Sequence, residues 1–249
     1  MFPTLSVVIV TYNRVEEFER TISALCQHII YPRDKILFYI VDDCSLPEVQ
    51  HAHKEICSKL GITYMYSSSP VNLGWGANVN RILRVIANDG GYVYFTEDDY
   101  VVAKPLNLAL GVAVMEAAPH LGMLRYRGTA GSKIKFVQRE VDLGLLPDHV
   151  EGVGLPGKCT YLEILPDSTD LYLYSHGPHL RRKTFHKYYG FYPEGLKLGA
   201  TEESYAHMVK DKYGQNGAPS IGILPDWVNM WFNHIGKSYQ HTQYDRGIG

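Results

Sequence analysis

Leu5-Ser6-Val7-Val8-Ile9-Val10 is a near-continuous apolar run that breaks into Thr11-Tyr12-Asn13-Arg14. A run without polar alternation predicts a parallel strand covered on both faces. Val15, Phe18, Ile22, Leu25, Cys26 and Ile29 then recur at helical spacing, with Asn13 the expected N-cap. Residues 36–41 form a second apolar strand that ends in Asp42-Asp43-Cys44-Ser45. Ser45 and Glu48 have capping-box spacing, Pro47 suits a first helical turn, and Gly61 stops that helix. Residues 62–66 read as a third strand. A loop through Asn72-Leu73-Gly74 leads into a helix across roughly 76–88, closed by Gly90-Gly91. A fourth strand begins at Tyr92.

The first hundred residues therefore read β-α-β-α-β-α-β, which predicts an α/β fold with a mostly parallel sheet flanked by helices. Open sheets of this kind bind ligands beyond the carboxyl ends of their strands. Thr11 to Arg14, Asp42-Asp43 and Glu97-Asp98-Asp99 all fall at predicted strand ends, so three polar clusters converge on one edge. Farther on, residues 106–117 read as a helix and 122–126 as a strand. Residues 128–170 show weak periodicity and many Gly, Pro and isolated charges, and are expected to be an irregular lid or acceptor surface. Residues 202–213 predict a short helix and 221–224 a last strand before an aromatic tail. No linker or repeat divides the 249 residues, so one domain is expected, with 1–103 as its nucleotide side and 104–249 as its acceptor side.

The stretch Tyr92 to Val102 is the most telling. Three adjacent acids, Glu97, Asp98 and Asp99, interrupt a run of aromatic and β-branched residues. A buried carboxylate is costly unless paired or bound to a cation, so the cluster suits Mg²⁺ or Mn²⁺ carrying a diphosphate. A solvated acidic turn is the other reading of the same residues. A formal net charge of −2 gives no basic excess for broad phosphate binding. The abundant tyrosine, 19 residues, suits stacking on bases or sugars as well as a core. No apolar run approaches the ~20 residues that span a membrane, and the start lacks a basic signal-peptide region. Four cysteines without CxxC spacing read as reduced thiols, so a cytoplasmic protein is expected.

Other motifs are set aside. His51 and His53 stand at i and i+2 on a helix and do not share a face, which argues against a zinc pair. No serine follows a nucleophile-elbow pattern. Gly74-Trp75-Gly76 has neither dinucleotide-fingerprint nor P-loop spacing.

Taken in order, these residues resemble the GT-A nucleotide-diphospho-sugar glycosyltransferases, in particular the large inverting family 2. The opening strand with its Thr-Tyr-Asn-Arg turn matches residues 7–14, and Val-Asp-Asp-Gly-Ser matches 41–45 with Cys44 in place of glycine. The Asn-x-Gly loop matches Asn72 to Gly74, and the asparagine of the next helix matches Asn80. The Asp-x-Asp metal motif matches Glu97 to Asp99, with glutamate for the first acid. In the second half, Arg181-Arg182-Lys183-Thr184-Phe185, Gly190-Phe191, Thr201-Glu202-Glu203 and His234-Ile235-Gly236 resemble later landmarks of the family.

The resemblance implies a metal-dependent enzyme that moves a sugar, expected from a UDP-linked donor, to a hydroxyl. It implies donor binding by Thr11, Tyr12, Arg14, Asp42, Asp43, Asn72, Gly74, Asn80, Glu97 and Asp98. Mn²⁺ or Mg²⁺ would be held by Asp99 with Glu97 and His234. Glu203 stands at the position of the family's base, with Glu202 beside it at a predicted helix start, where helix-dipole acids are the plainer reading. Arg181, Arg182 and Trp231 are expected on the acceptor side.

A glycan, lipid-linked head group or small molecule is the default acceptor. Hydroxymethylated DNA is less favoured and would use Lys133, Lys135, Arg181 and Arg182 as a basic face. A sugar-binding protein without turnover is the alternative from another class. A nucleotidyltransferase lacks support, because no Gly-rich triphosphate loop follows the first strand.

Overall fold

A computed structural model describes residues 2–86, 91–126, 133–144, 155–171, 173–225 and 232–235. Its elements begin with β1 (Leu5–Thr11), α1 (Glu16–His28), β2 (Ile29–Ile30), β3 (Ile36–Asp42), α2 (Pro47–Lys59), β4 (Tyr64–Ser68), α3 (Trp75–Ile86) and β5 (Tyr92–Glu97). The alternation predicted for the first hundred residues is observed. There follow β6 (Tyr100–Val102), β7 (Leu106–Asn107), α4 (Leu108–Ala117), β8 (Leu121–Arg125), β9 (Phe136–Asp142) and β10 (Lys158–Ile164). The last elements are β11 (His179–Arg182), α5 (Phe185–Tyr189), α6 (Leu198–Lys212), β12 (Ser220–Ile223) and β13 (Phe232–His234).

Nine strands form one mixed sheet in the order β4-β3-β1-β5-β11-β8-β12-β10-β9. The first four are mutually parallel, β11 runs antiparallel between β5 and β8, and β12 lies parallel to β8. Both faces are covered, which is why β1 is buried along its whole length. Leu5, Val7 and Ile9 pack with Phe18, Ile22 and Leu25 of α1 on one side. Val8 and Val10 pack with Val79, Ile82 and Leu83 of α3 on the other. Each such side chain contributes ~1.5–3 kcal/mol of burial free energy. The register aligns the strand ends, with Thr11 opposite Asp42 and Val10 opposite Glu97. No helix among the described residues is long and apolar enough to cross a membrane.

Several expectations are corrected. The segment 128–170 is not irregular throughout, because β9 and β10 pair antiparallel at the sheet edge; 128–132 and 145–154 lie outside the described residues. β9 is exposed along most of its length and is tied across by Arg139–Glu163 (3.0 Å) and Lys158–Glu140 (2.9 Å). A strand held by its ladder and charge pairs leaves no apolar period to read.

Asn13 does not cap α1, whose N-cap is Val15. It adopts a left-handed φ of 52°, and its Oδ1 accepts from Leu46 N at 2.8 Å. Nor do Ser45 and Glu48 form a capping box: Leu46 is the N-cap of α2, and the Ser45 hydroxyl bonds Asp42 instead. α6 begins four residues before the predicted helix, and no acid lies in its first turn. Gly199 in that first turn reads as loop in sequence. The helix-dipole explanation of Glu202 and Glu203 is thereby removed.

Candidate active site

The turn after β5 is fixed from two sides. Asp98 N donates to Val10 O at 3.0 Å, and Thr21 Oγ1 on α1 donates to Asp98 O at 2.7 Å. Arg14, just past β1, then reaches both aspartates, with Nη1 2.9 Å from Asp98 Oδ1 and 2.6 Å from Asp99 Oδ2. His53 is buried beneath this turn, with Nε2 2.9 Å from Arg14 O and Nδ1 3.1 Å from Tyr66 Oη. A carbonyl partner requires Nε2 to donate, so the ring is a structural anchor for Arg14 rather than a metal ligand.

The C-terminal part closes on the same turn. β13 pairs with β6, placing His234 opposite Tyr100, and Ile235 N donates to Asp99 O at 2.9 Å. His234 Nε2 thereby stands 3.3 Å from Asp99 Oδ2. The other oxygen, Asp99 Oδ1, is buried without a hydrogen-bond partner. Among the described residues no three His, Cys, Asp or Glu side chains are grouped as a cation cage. A carboxylate and an imidazole side by side, with one buried oxygen unbonded, nevertheless fit a divalent ion that takes its remaining ligands from phosphates and water.

Charge is concentrated here. Burial pushes the Glu97 carboxyl up to about 8, helped by the charges of Asp99, Asp98 and Glu202. Burial likewise raises Asp98 to about 7, against the pull of Arg14. For Arg14, burial opposes the charged form, but Asp98 and Asp99 outweigh it and its pKa is raised.

The two aspartates after β3 organise loops. Asp42 is fully buried and accepts from Ser45 N (3.0 Å), Ser68 Oγ (2.7 Å) and the Ser45 hydroxyl. Asp43 accepts from Leu73 N (2.8 Å), Gly74 N (3.0 Å) and Ser69 Oγ (3.2 Å), which pins the Asn72-Leu73-Gly74 loop over the strand ends. Asn72 Oδ1 accepts from Gly74 N at 3.1 Å, and Gly74 has a φ of +78°, which favours glycine. Asn80 is buried, and its amide binds Tyr192 N and O and the Glu194 carboxylate, so it anchors the loop after α5. Tyr12 is half-buried beside the buried Thr11.

The paired glutamates separate clearly. Glu202, in the second turn of α6, lies near enough to Glu97 for its charge to raise that carboxyl, and its Oε1 accepts from His176 N at 2.8 Å and Ser175 Oγ at 3.2 Å. Glu203 is exposed. His176 stacks on Trp75 with ring centroids 3.7 Å apart, which fixes the backbone that holds Glu202. Sequence reasoning missed Ser175, His176 and Trp75. Ser175 and His176 carry no motif, and His176 acts through its backbone N–H.

The basic residues at the end of β11 and just past it are largely interior. Arg181 is fully buried, bonds Tyr192 Oη at 3.2 Å and lies over the Phe95, Phe185 and Tyr192 rings. Arg182 is half-buried and donates to Leu121 O (2.9 Å) and Met115 O. Lys183 and His186 are buried as well, and Lys135 pairs with Asp167 at 2.6 Å. Lys133, Lys135, Arg181 and Arg182 therefore do not form a basic face, which removes the motive for a DNA acceptor. Trp231 lies outside the described residues.

A family profile described as Glycosyl transferase family 2 matches residues 6–187. The cellulose synthase catalytic subunit [UDP-forming] of Pseudomonas fluorescens (strain SBW25) is 28% identical over 125 residues, 50% of this chain and 16% of that protein. In structure the chain is similar to S. aureus TarS 1–349 in complex with UDP-GlcNAc, with a TM-score of 0.59 and 19% identity over 90% of this chain and 56% of that one. It is also similar to the mannosyltransferase PcManGT from Pyrobaculum calidifontis in complex with GDP-Man and Mn²⁺, with a TM-score of 0.56 and 16% identity over 90% and 57%. For GalNAc-T7 with UDP, GalNAc and Mn²⁺ the values are 0.57 and 16%, over 90% and 43%. The chain thus spans a sixth of that curated relative and about half of these solved chains. At these identities the structural likeness shows a shared fold.

Proposed function

The chain belongs to glycosyl transferase family 2, and from that premise we propose that it is an inverting glycosyltransferase that moves a sugar from a UDP-linked donor to a hydroxyl. The observation that carries the reading is the meeting of Arg14, Asp98, Asp99 and His234 at the carboxyl ends of β1 and β5, with Glu202 near Glu97 beside them. Asp99 and His234 would hold Mn²⁺ or Mg²⁺, with Glu97 at the end of β5 as a further ligand or a partner for a ribose hydroxyl. When bound, the ion takes up charge on the departing diphosphate. The loop that Asp43 holds, together with Thr11 and Tyr12, would receive the base and ribose.

Inversion requires a base on the face opposite the leaving group. We assign that role to Glu202 rather than Glu203. Its carboxylate is oriented by His176 and Ser175 and lies close enough to Glu97 for its charge to raise that carboxyl, whereas Glu203 is exposed. The acceptor is taken to be a glycan, lipid-linked or small-molecule hydroxyl, reached from the side of α6. One sheet running through both halves of the chain supports a single domain, and four free cysteines support a cytoplasmic setting.

Calorimetry with UDP, GDP and dTDP, each with and without Mn²⁺, tests donor class and metal dependence together. Tight binding of UDP only with the metal is expected; no metal-dependent binding of any of the three would overturn the reading. Turnover abolished by Asp99→Asn would exclude a sugar-binding protein that lacks catalysis.

A further inference from the structure

Asp99 Oδ2 is claimed twice in this structure. Arg14 Nη1 lies 2.6 Å from it and His234 Nε2 3.3 Å from it. A divalent ion shared by Asp99 and His234 would compete with Arg14 for this one carboxylate, whose Oδ2 the guanidinium and the imidazole both approach and whose Oδ1 is unbonded. Arg14 also bonds Asp98, so one cation balances two almost fully buried aspartates. Its own side chain remains 21% accessible, against 4% and 7% for the two aspartates. The Arg14 carbonyl is held by His53 Nε2 at 2.9 Å, a contact that does not depend on what the guanidinium bonds.

We propose that Arg14 is an exchangeable counter-cation of the acidic turn: it occupies Asp99 before the metal arrives, and yields that carboxylate when the metal enters with the nucleotide. The proposal rests on the metal-dependent reading above. Once released, the guanidinium needs a new anionic partner, and the diphosphate brought by the ion is one that suits its fork. Metal and nucleotide binding are therefore coupled through Arg14. The metal alone must expel an arginine without compensation, while metal with nucleotide supplies the compensation. Arg14 is thus a positioning residue for the metal site.

Mn²⁺ titrations followed by the electron-paramagnetic-resonance signal of the free ion, with and without UDP, test this on the whole chain. Wild type is expected to bind Mn²⁺ weakly alone and at least tenfold more tightly with UDP. Arg14→Gln should bind Mn²⁺ alone at least tenfold more tightly than wild type and lose most of the UDP enhancement. Arg14→Lys, with one point charge and no fork, should fall between them. Circular dichroism checks that each variant is folded. Equal or weaker Mn²⁺ binding by Arg14→Gln, in a wild type that does bind Mn²⁺ with UDP, overturns the exchange and leaves the proposed function standing. If Arg14→Gln does not fold, an Arg14→Lys affinity identical to wild type overturns it as well. No Mn²⁺ binding by wild type even with UDP overturns both.

Discussion

Glu202→Gln isolates the proton-abstracting role from every structural one. The Glu202 Oε1 atom accepts from His176 N at 2.8 Å and Ser175 Oγ at 3.2 Å. Glutamine keeps an oxygen for both donors, so orientation and folding should persist. Replacing the charge also relieves its repulsion with Glu97, whose carboxyl is already pushed up to about 8. What disappears is the ability to take a proton from the acceptor hydroxyl, commonly worth ~10²–10⁴ in rate, or about 3–5 kcal/mol in the barrier. Glu203→Gln changes an exposed side chain and should leave kcat within about twofold of wild type. Steady-state transfer from UDP-sugars gives kcat for both variants, and calorimetry with UDP and Mn²⁺ gives donor affinity, expected to be unchanged. A Glu202→Gln enzyme that keeps wild-type kcat, or a Glu203→Gln enzyme that loses as much, would refute the reasoning and move the base.

Three further outcomes are expected. Asp43→Ala removes the acceptor for Leu73 N, Gly74 N and Ser69 Oγ; at ~1 kcal/mol per bond it should cost about 2–3 kcal/mol and lower Tm by roughly 5–10 °C, with weaker UDP binding, and an unchanged Tm would contradict the anchoring role. Between the ordinary value of 4.5 and the folded value of about 8, Glu97 holds more proton in the native state than in the unfolded one. Without metal, the Glu97 contribution to stability is therefore fully present below pH 4.5 and is lost as pH rises to 8, with a limiting slope of about 1.4 kcal/mol per pH unit. Melting curves of wild type and Glu97→Gln from pH 5.5 to 8 should diverge, and parallel curves would refute the assignment. Arg181→Met should leave the acceptor KM unchanged, because Arg181 has no exposed surface; a raised KM would place it at the acceptor after all.

The parallel half of the fold was legible because its strands are buried on both faces. Runs such as Val7 to Val10 carry that burial in their composition, and the breaks at Thr11, Asp42 and Glu97 mark the strand ends that the register then aligns. β9 was not legible, since an exposed edge strand held by Arg139–Glu163 and Lys158–Glu140 has no apolar period. The start of α6 was hidden by Gly199, and with it the sides to which Glu202 and Glu203 turn. Cys44, standing where the family has glycine, takes a left-handed φ of 68°, which explains the family's usual residue. The bond from Arg14 to Asp98 and Asp99 joins residues 84 and 85 positions apart, a pairing that no local pattern encodes. Arg181 and Arg182 misled because charge in sequence suggests surface, whereas the aromatic rings around Arg181 show only in three dimensions.

In the proposed function Asp99 and His234 hold the metal that carries the donor's diphosphate. Anomalous diffraction from crystals grown with Mn²⁺ and UDP tests it most directly. One strong manganese peak is expected within coordination distance of an Asp99 carboxylate oxygen and His234 Nε2, beside the diphosphate and with Arg14 moved off Asp99. Manganese bound elsewhere on the chain, or UDP bound at these strand ends with no metal at Asp99, would contradict it.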